Sequence, residues 1–245
     1  MSDVGFVFIP GGLMSTWVWK FVDKKYLGNA VLIPRRIKEN NVYNRIHSTL
    51  NDCVEFVTEM INDSKWARVV IIAHSGGGLI APLVAKKLPE KVKQIIFVCA
   101  NIPRNHTTAL HFLPAPIRVL NRIAIKQQIK HDCVPASKQE KAIRNIFCNT
   151  SSPDVIDYVL QQNLYPEPMC TITEQINWDG VPEIPMAYIR LTKDKTGSID
   201  LQNRMADNLS IKTRYSIDSD HMVMLSHPKE FNMALDELII FSDAG

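Results

Sequence analysis

The chain has few of the features that mark a membrane protein, a disulfide scaffold or a nucleic-acid binder. Nowhere do about 18 apolar residues run uninterrupted, the length a membrane-spanning helix requires. The opening MSDVGFVFIPGG has no basic segment followed by a long apolar one, so no secretory leader is read there. A soluble, cytoplasmic protein without stable membrane insertion is expected. The five cysteines, Cys53, Cys99, Cys133, Cys148 and Cys170, are odd in number and include no C-x-x-C pair. That pattern argues against a disulfide framework and a zinc site, and the five are read as separate reduced thiols. Charge of one sign is also scarce: 28 Lys+Arg against 25 Asp+Glu gives +3, too little to imply a nucleic-acid surface. No internal repeat, low-complexity tract or flexible linker is found. Small-molecule chemistry is the class left standing.

What is present is a long, apolar, regularly punctuated chain. With 245 residues and 46% hydrophobic content it can bury a large core as one domain spanning 1–245. Short apolar runs recur at 5–9, 30–33, 68–73, 93–100, 186–191 and 213–217. Continuous rather than alternating apolarity suits strands covered on both faces, hence a mainly parallel sheet of about six strands. Between them lie helical stretches such as 47–62, where Ile46, Leu50, Val54, Phe56, Val57, Met60 and Ile61 leave the polar residues mostly on another face. Strand and helix in alternation define an α/β fold.

Residues 103–180 break that rhythm. They contain no convincing strand, yet they separate two strands by far more than one crossover helix needs, so they are read as a helical cap inserted in the domain. Within the cap, 115–131 and 152–164 look amphipathic, the second with Ser152 as N-cap and Pro153 at the first helical position. Arg118, Arg122, Lys126 and Lys130 are read as a solvated helix face.

The stretch VVIIAHSGGGLIAP, residues 69–82, carries the chemistry. A strand ending in a sharp turn into a helix leaves the turn residue strained and its side chain exposed, with small residues two positions either side. Ser75 sits there between Ala73 and Gly77, which are expected to crowd each other across the turn. The pattern is the G-x-S-x-G nucleophile elbow with Ala in the first place. The helix is expected to begin near Gly76, its positive end beside the hydroxyl. Gly76, Gly78 and Ala81 also spell a dinucleotide-binding fingerprint, but that reading needs an acid at the end of the next strand, and IIFVCANIP supplies none.

A serine hydroxyl needs a base and an orienting carboxylate to act as a nucleophile. Of seven histidines, His74 is expected to point away from Ser75; His106, His111 and His131 fall in the cap; His47 and His227 begin helices. His221 lies just past the last strand, where a loop can reach Ser75. The order Ser, acid, His favours Asp194 just past a strand end; Asp200, Asp218 and Asp220 remain alternatives, the last two close in sequence to His221. Oxyanion donors come from the Gly76 amide and from the loop at Gly11 and Gly12.

The stretches FIPGGLMSTWVW, IIAHSGGG, IPMAYIRLTKDKTGSIDLQNRMADNL and SDHMVMLSHPKEF together resemble the α/β-hydrolases of the small, cap-bearing group that includes plant methyl-ester esterases, hydroxynitrile lyases and related bacterial carboxylesterases. The resemblance covers the full length. It implies Ser75 as nucleophile, His221 as base, Asp194 as its partner, and the Gly12 and Gly76 amides as oxyanion hole. Pro10 departs from the histidine such proteins commonly carry there. Gly12 and Met222 stand where the hydroxynitrile lyases have a threonine and a lysine, which favours ester hydrolysis over cyanohydrin cleavage. Trp17 and Trp19 match a W-x-W after the oxyanion loop.

The expected function is hydrolysis of a small, fairly hydrophobic carboxylic ester through an acyl-serine, with no metal and no organic cofactor. Leu13, Trp17, Leu110, Phe112 and Phe147 are candidates for the pocket. The expected partner is a small-molecule ester, with a homodimer through the cap or an edge strand compatible with the pattern. The rival readings are a lyase or cofactor-free oxygenase on the same scaffold, and a ligand-binding receptor retaining a slow triad.

Overall fold

The computed structural model describes residues 4–34, 48–112, 136–164 and 168–240. Six strands, β1 (Val4–Ile9), β2 (Ala30–Leu32), β3 (Arg68–His74), β4 (Val92–Val98), β5 (Met186–Leu191) and β6 (Thr213–Ile217), pair in the order β2-β1-β3-β4-β5-β6. Every pairing is parallel. The apolar runs are continuous because successive side chains enter two different cores. Phe6, Phe8, Val70, Ile72, Ile96 and Val98 pack on one face with Trp19 and Phe231, and Val7, Ile9, Ile71, Ala73, Ile95 and Phe97 pack on the other. Each fully buried aliphatic or Phe side chain contributes about 1.5–3 kcal/mol, so neither face can carry polar residues at low cost.

The helices α1 (Leu50–Asn62) and α2 (Ala81–Lys87) cover the second face, where Cys53, Val54, Val57 and Ile61 meet Val84 and Ala85. The helix read over 47–62 begins at Leu50 because Thr49 caps it. The Asp52 amide donates to Thr49 Oγ1 at 3.1 Å and the Thr49 amide donates to Asp52 Oδ2 at 2.7 Å, a reciprocal arrangement that satisfies two otherwise orphaned donors. The strand read over 93–100 stops at Val98, since Cys99 has φ +36°, a left-handed conformation that cannot continue a ladder.

Between β4 and β5 the described residues contain no strand. They form α3 (Ala136–Ala142), which runs into a π-helical turn at Ile143–Phe147, and α4 (Pro153–Leu160). Ser152 caps α4 as expected, its Oγ accepting from the Val155 amide at 3.4 Å, with Pro153 at the start. The helix read over 115–131, with its basic residues, lies outside the described residues. Beyond β5 come α5 (Ile199–Asp207) and, after β6, α6 (Pro228–Leu238). Among the described residues no helix is long and apolar enough to cross a membrane.

The strand order places the site. From β1 the chain turns to β2 on one side, then returns to β3 on the other, so the loops after β1 and β3 diverge from neighbouring strands. That divergence opens a crevice at the carboxyl ends, where open α/β sheets bind their ligands.

Candidate active site

Ser75 follows β3 directly and has φ +50°, a strained conformation for a residue with a Cβ. Gly77 and Gly78 make the turn fit. A Cβ on Gly77 would lie 2.8 Å from the Ile9 carbonyl oxygen, and one on Gly78 would lie 2.7 Å from the Ala100 Cβ and 2.9 Å from the Asn101 carbonyl oxygen. The crowding expected between Gly77 and Ala73 is therefore crowding between Gly77 and the end of β1, the neighbouring strand. Ser75–Leu79 is a 3-10 turn and α2 begins only at Ala81, later than the start near Gly76 read from the sequence. The Asn101 amide donates to the Ser75 carbonyl at 2.8 Å and pins the turn to the segment after β4.

The loop after β1 abuts this serine. A Cβ on Gly11 would sit 2.7 Å from Ser75 Cβ and 3.2 Å from Ser75 Oγ, so backbone without a side chain lines the hydroxyl there. Gly12 is half-buried and Gly76 buried. Leu13 follows with φ +64° and is half-buried.

His221 Nδ1 lies 2.7 Å from Asp194 Oδ2, with both side chains 1% exposed. Asp194 Oδ1 accepts the Thr196 amide at 2.7 Å, while Thr196 Oγ1 and Cys99 Sγ stand 3.1 and 3.4 Å from the same imidazole nitrogen. Burial is the largest single influence on the Asp194 carboxyl and works to raise its pKa. The charge and hydrogen bond of His221, with the hydrogen bonds from Thr196, outweigh it and hold the carboxyl below its ordinary range. An ionised carboxylate accepts a hydrogen bond from Nδ1–H, which keeps the proton on Nδ1 and leaves Nε2 as the acceptor nitrogen. Nε2 is buried and has no hydrogen-bond partner among the described residues. Ser75 Oγ does not bond it here; such contacts are often loose before substrate binds.

Three neighbours of this pair escape sequence reasoning. The His74 ring does not stand apart. It packs 4.6 Å from the His221 ring, and its Nε2 donates to the His221 carbonyl at 3.0 Å. Cys99 is buried, and burial, then the negative charge of Asp194, pushes its thiol well above the ordinary value, so it stays protonated and is a poor nucleophile. Thr196 carries the one legible signal, an Asx-type turn over D-K-T. His74 and Cys99 meet only because β3 and β4 pair with His74 beside Val98. Ligand atoms of His74, Cys99 and His221 lie within 4.8 Å of one another, the one such group among the described residues. With the thiol protonated and His221 Nδ1 committed to Asp194, the trio is poorly suited to a cation.

The other acids read from the sequence fall elsewhere. Asp200 opens α5, Asp218 is exposed beside Thr192 and Lys193, and Asp220 is buried and turned toward Thr150 and Ser151. Of the pocket candidates, Phe147 lies with its ring 5.1 Å from His221. Half-buried Trp17 packs edge-on against Tyr158 at 6.2 Å. Leu110 joins a separate small cluster with Met169 and Ile172. Phe112 closes a 3-10 turn, its side chain outside the described residues. Trp19 is core, packed on Phe8 and Phe231.

A strand-to-helix turn holding a serine at positive φ, on a six-stranded parallel sheet beside a buried acid and imidazole, is the hallmark arrangement of one family. The chain belongs to the alpha/beta hydrolase family, whose model matches residues 6–234. Among curated relatives it is similar to Methylesterase 9 of Arabidopsis thaliana, 24% identical over 97% of this chain and 98% of that protein. It is also similar to polyneuridine aldehyde esterase of Rauvolfia serpentina, 23% identical over 92% and 91%. Among solved structures, an extracellular alpha/beta-hydrolase from a Paenibacillus species superposes with a TM-score of 0.79, 20% identity and coverage of 96% and 98%.

Proposed function

We propose that this chain is a carboxylic ester hydrolase in which Ser75 attacks the ester carbonyl, His221 takes the serine proton and later protonates the leaving alcohol, and Asp194 holds the imidazole tautomer. The developing oxyanion is received by the backbone amides of Gly76 and Gly12, and water releases the acyl group with His221 again as base. The observation that carries this reading is the buried Asp194–His221 contact at 2.7 Å, whose outer nitrogen is left to accept a proton. The names of the relatives agree with it: one is a methylesterase and another a polyneuridine aldehyde esterase. The helical segment within 103–180 serves as a cap over the site. Apolar Phe147 and Trp17 favour a small, fairly hydrophobic ester. The chemistry is complete without metal or organic cofactor. A cytoplasmic location and a homodimer belong to the same reading.

Uncharged, fully buried Met222 follows His221, so the site offers no cation there for a cyanide leaving group, and hydrolysis is preferred to cyanohydrin cleavage. The test is a burst assay with short-chain p-nitrophenyl esters on wild type and Ser75→Ala, with fluorophosphonate labelling mapped by mass. Hydrolysis lost by several orders of magnitude in Ser75→Ala and a label on Ser75 are expected. A labelled Ser75 with negligible turnover would favour the lyase or receptor; no label and no hydrolysis would refute the serine mechanism.

A further inference from the structure

We propose that Asp220 is a positioning residue that ties the inserted helical segment to the loop carrying His221 and thereby fixes the apolar wall beside the imidazole. The inference rests on His221 being the base of the site.

Asp220 is 0% exposed, and its two carboxylate oxygens are divided between two parts of the chain. Oδ2 accepts the Thr150 amide at 3.0 Å and the Ser151 hydroxyl at 2.7 Å. Oδ1 accepts the Met222 amide at 3.2 Å and the Ser226 hydroxyl at 3.1 Å. No cation pairs with it among the described residues, so these donors alone stand in for lost water. A buried carboxylate held this way is costly to move and costly to replace.

Thr150 and Ser151 are a short turn away from Phe147. The Cys148 amide donates to the Ile143 carbonyl at 2.8 Å, closing the π-helical turn Ile143–Phe147, and the Ser151 amide donates to the Cys148 carbonyl at 3.2 Å. The segment from 143 to 151 is thus hydrogen-bonded from end to end. Anchoring its far end on Asp220 sets where Phe147 lies, 5.1 Å from the His221 ring at 54°. The acid adjacent to the base in sequence therefore acts on the substrate wall, and Asp194 acts on the imidazole. The group that senses it is the apolar part of the ester that packs on Phe147.

The test compares wild type, Asp220→Asn, Ser151→Ala and Ser151→Thr on p-nitrophenyl acetate and p-nitrophenyl hexanoate, together with the rate of Ser75 labelling by a fluorophosphonate. Asparagine has one acceptor oxygen for the two backbone amides; with it on Met222, its NH2 group faces the Thr150 amide and the tie to the segment is weakened to the Ser151 hydroxyl alone. With ground-state binding lost and chemistry kept, KM for the hexanoate should rise about tenfold in Asp220→Asn, with kcat within about threefold and a smaller effect on the acetate. Ser151→Ala should move KM the same way by about threefold, and Ser151→Thr, which keeps the hydroxyl, should restore it. Unchanged KM in both Asp220→Asn and Ser151→Ala, or an equal fall in kcat on both esters with KM unmoved, would overturn the proposal. If Asp220→Asn does not fold, the Ser151 pair decides by the same criteria. A wild type that neither hydrolyses nor takes the label would defeat the esterase reading itself, and this proposal with it.

Discussion

The Thr196 amide donates to Asp194 Oδ1 at 2.7 Å, which leaves Oδ2 to accept the hydrogen bond from His221 Nδ1–H. Both oxygens act as acceptors, so an amide at this position can satisfy one neighbour only. Asp194→Asn should keep the fold, present an N–H to one of the two, and lower kcat/KM for ester hydrolysis by about a thousandfold or more through the wrong imidazole tautomer. Steady-state kinetics beside a circular-dichroism spectrum would check this, and a loss under about tenfold would count against the assigned role.

The same contacts carry a pH signature. The Asp194 carboxyl is held below 3.8 in the folded chain and returns toward 3.8 when unfolded. As pH falls the unfolded chain therefore takes up this proton first. The stability Asp194 contributes is present above the unfolded value and is lost as pH drops through the lower folded value. Urea unfolding at neutral pH and near about pH 3 should show a smaller acid loss in Asp194→Asn than in wild type. Equal losses would mean that other carboxylates carry the acid sensitivity.

Gly77 tests the elbow from the opposite side. Gly77→Ala forces a Cβ to within 2.8 Å of the Ile9 carbonyl oxygen, and neither backbone can yield cheaply. A loss of about 1–3 kcal/mol in stability is expected, with slower fluorophosphonate labelling of Ser75 as the turn shifts. A midpoint in urea equal to wild type would show that the turn has room to spare.

The thiols give a prediction without mutagenesis. Cys53, Cys99, Cys148 and Cys170 are buried and in no disulfide. Burial, then the charge of Asp220, pushes the Cys148 thiol up to about 12, with Cys99 raised as well. Brief treatment of the native protein with iodoacetamide should leave the Cys99 and Cys148 peptides unmodified, and the same treatment in urea should alkylate both. Native labelling of Cys99 would mean that the site opens far more readily than its packing implies.

The six strands were legible because burial on both faces writes itself as unbroken apolarity; Val69 to Ala73 needs no partner to be recognised. The Ser75 turn was legible for a similar local reason, since three glycines after a strand have few other uses. Asp194 and His221 were reached through chain order and loop position. What stayed hidden depends on register. His74 and Cys99 touch His221 only through the pairing of β3 with β4, and no spacing along the chain announces it. Sequence distance rightly sets Asp220 aside as a partner of the His221 ring, yet it gives no hint that the carboxylate binds a segment 69 and 70 positions away. The pocket candidates divide for the same reason: Phe147 is brought to His221 by the segment between β4 and β5, whereas Leu110 is taken by Met169 and Ile172.

The chain leaves the sheet at β4 and rejoins it at β5 after a long connecting segment, and these strands are direct neighbours, with Val98 beside Ile189. Because the two strands run parallel, the segment leaves at the carboxyl end of β4 and has to cross to the amino end of β5, and Cys170, Ile176 and Trp178 are packed into the second core on that return. A change within 136–164 leaves that return intact, and the joint it has to refit is the contact of Thr150 and Ser151 with Asp220.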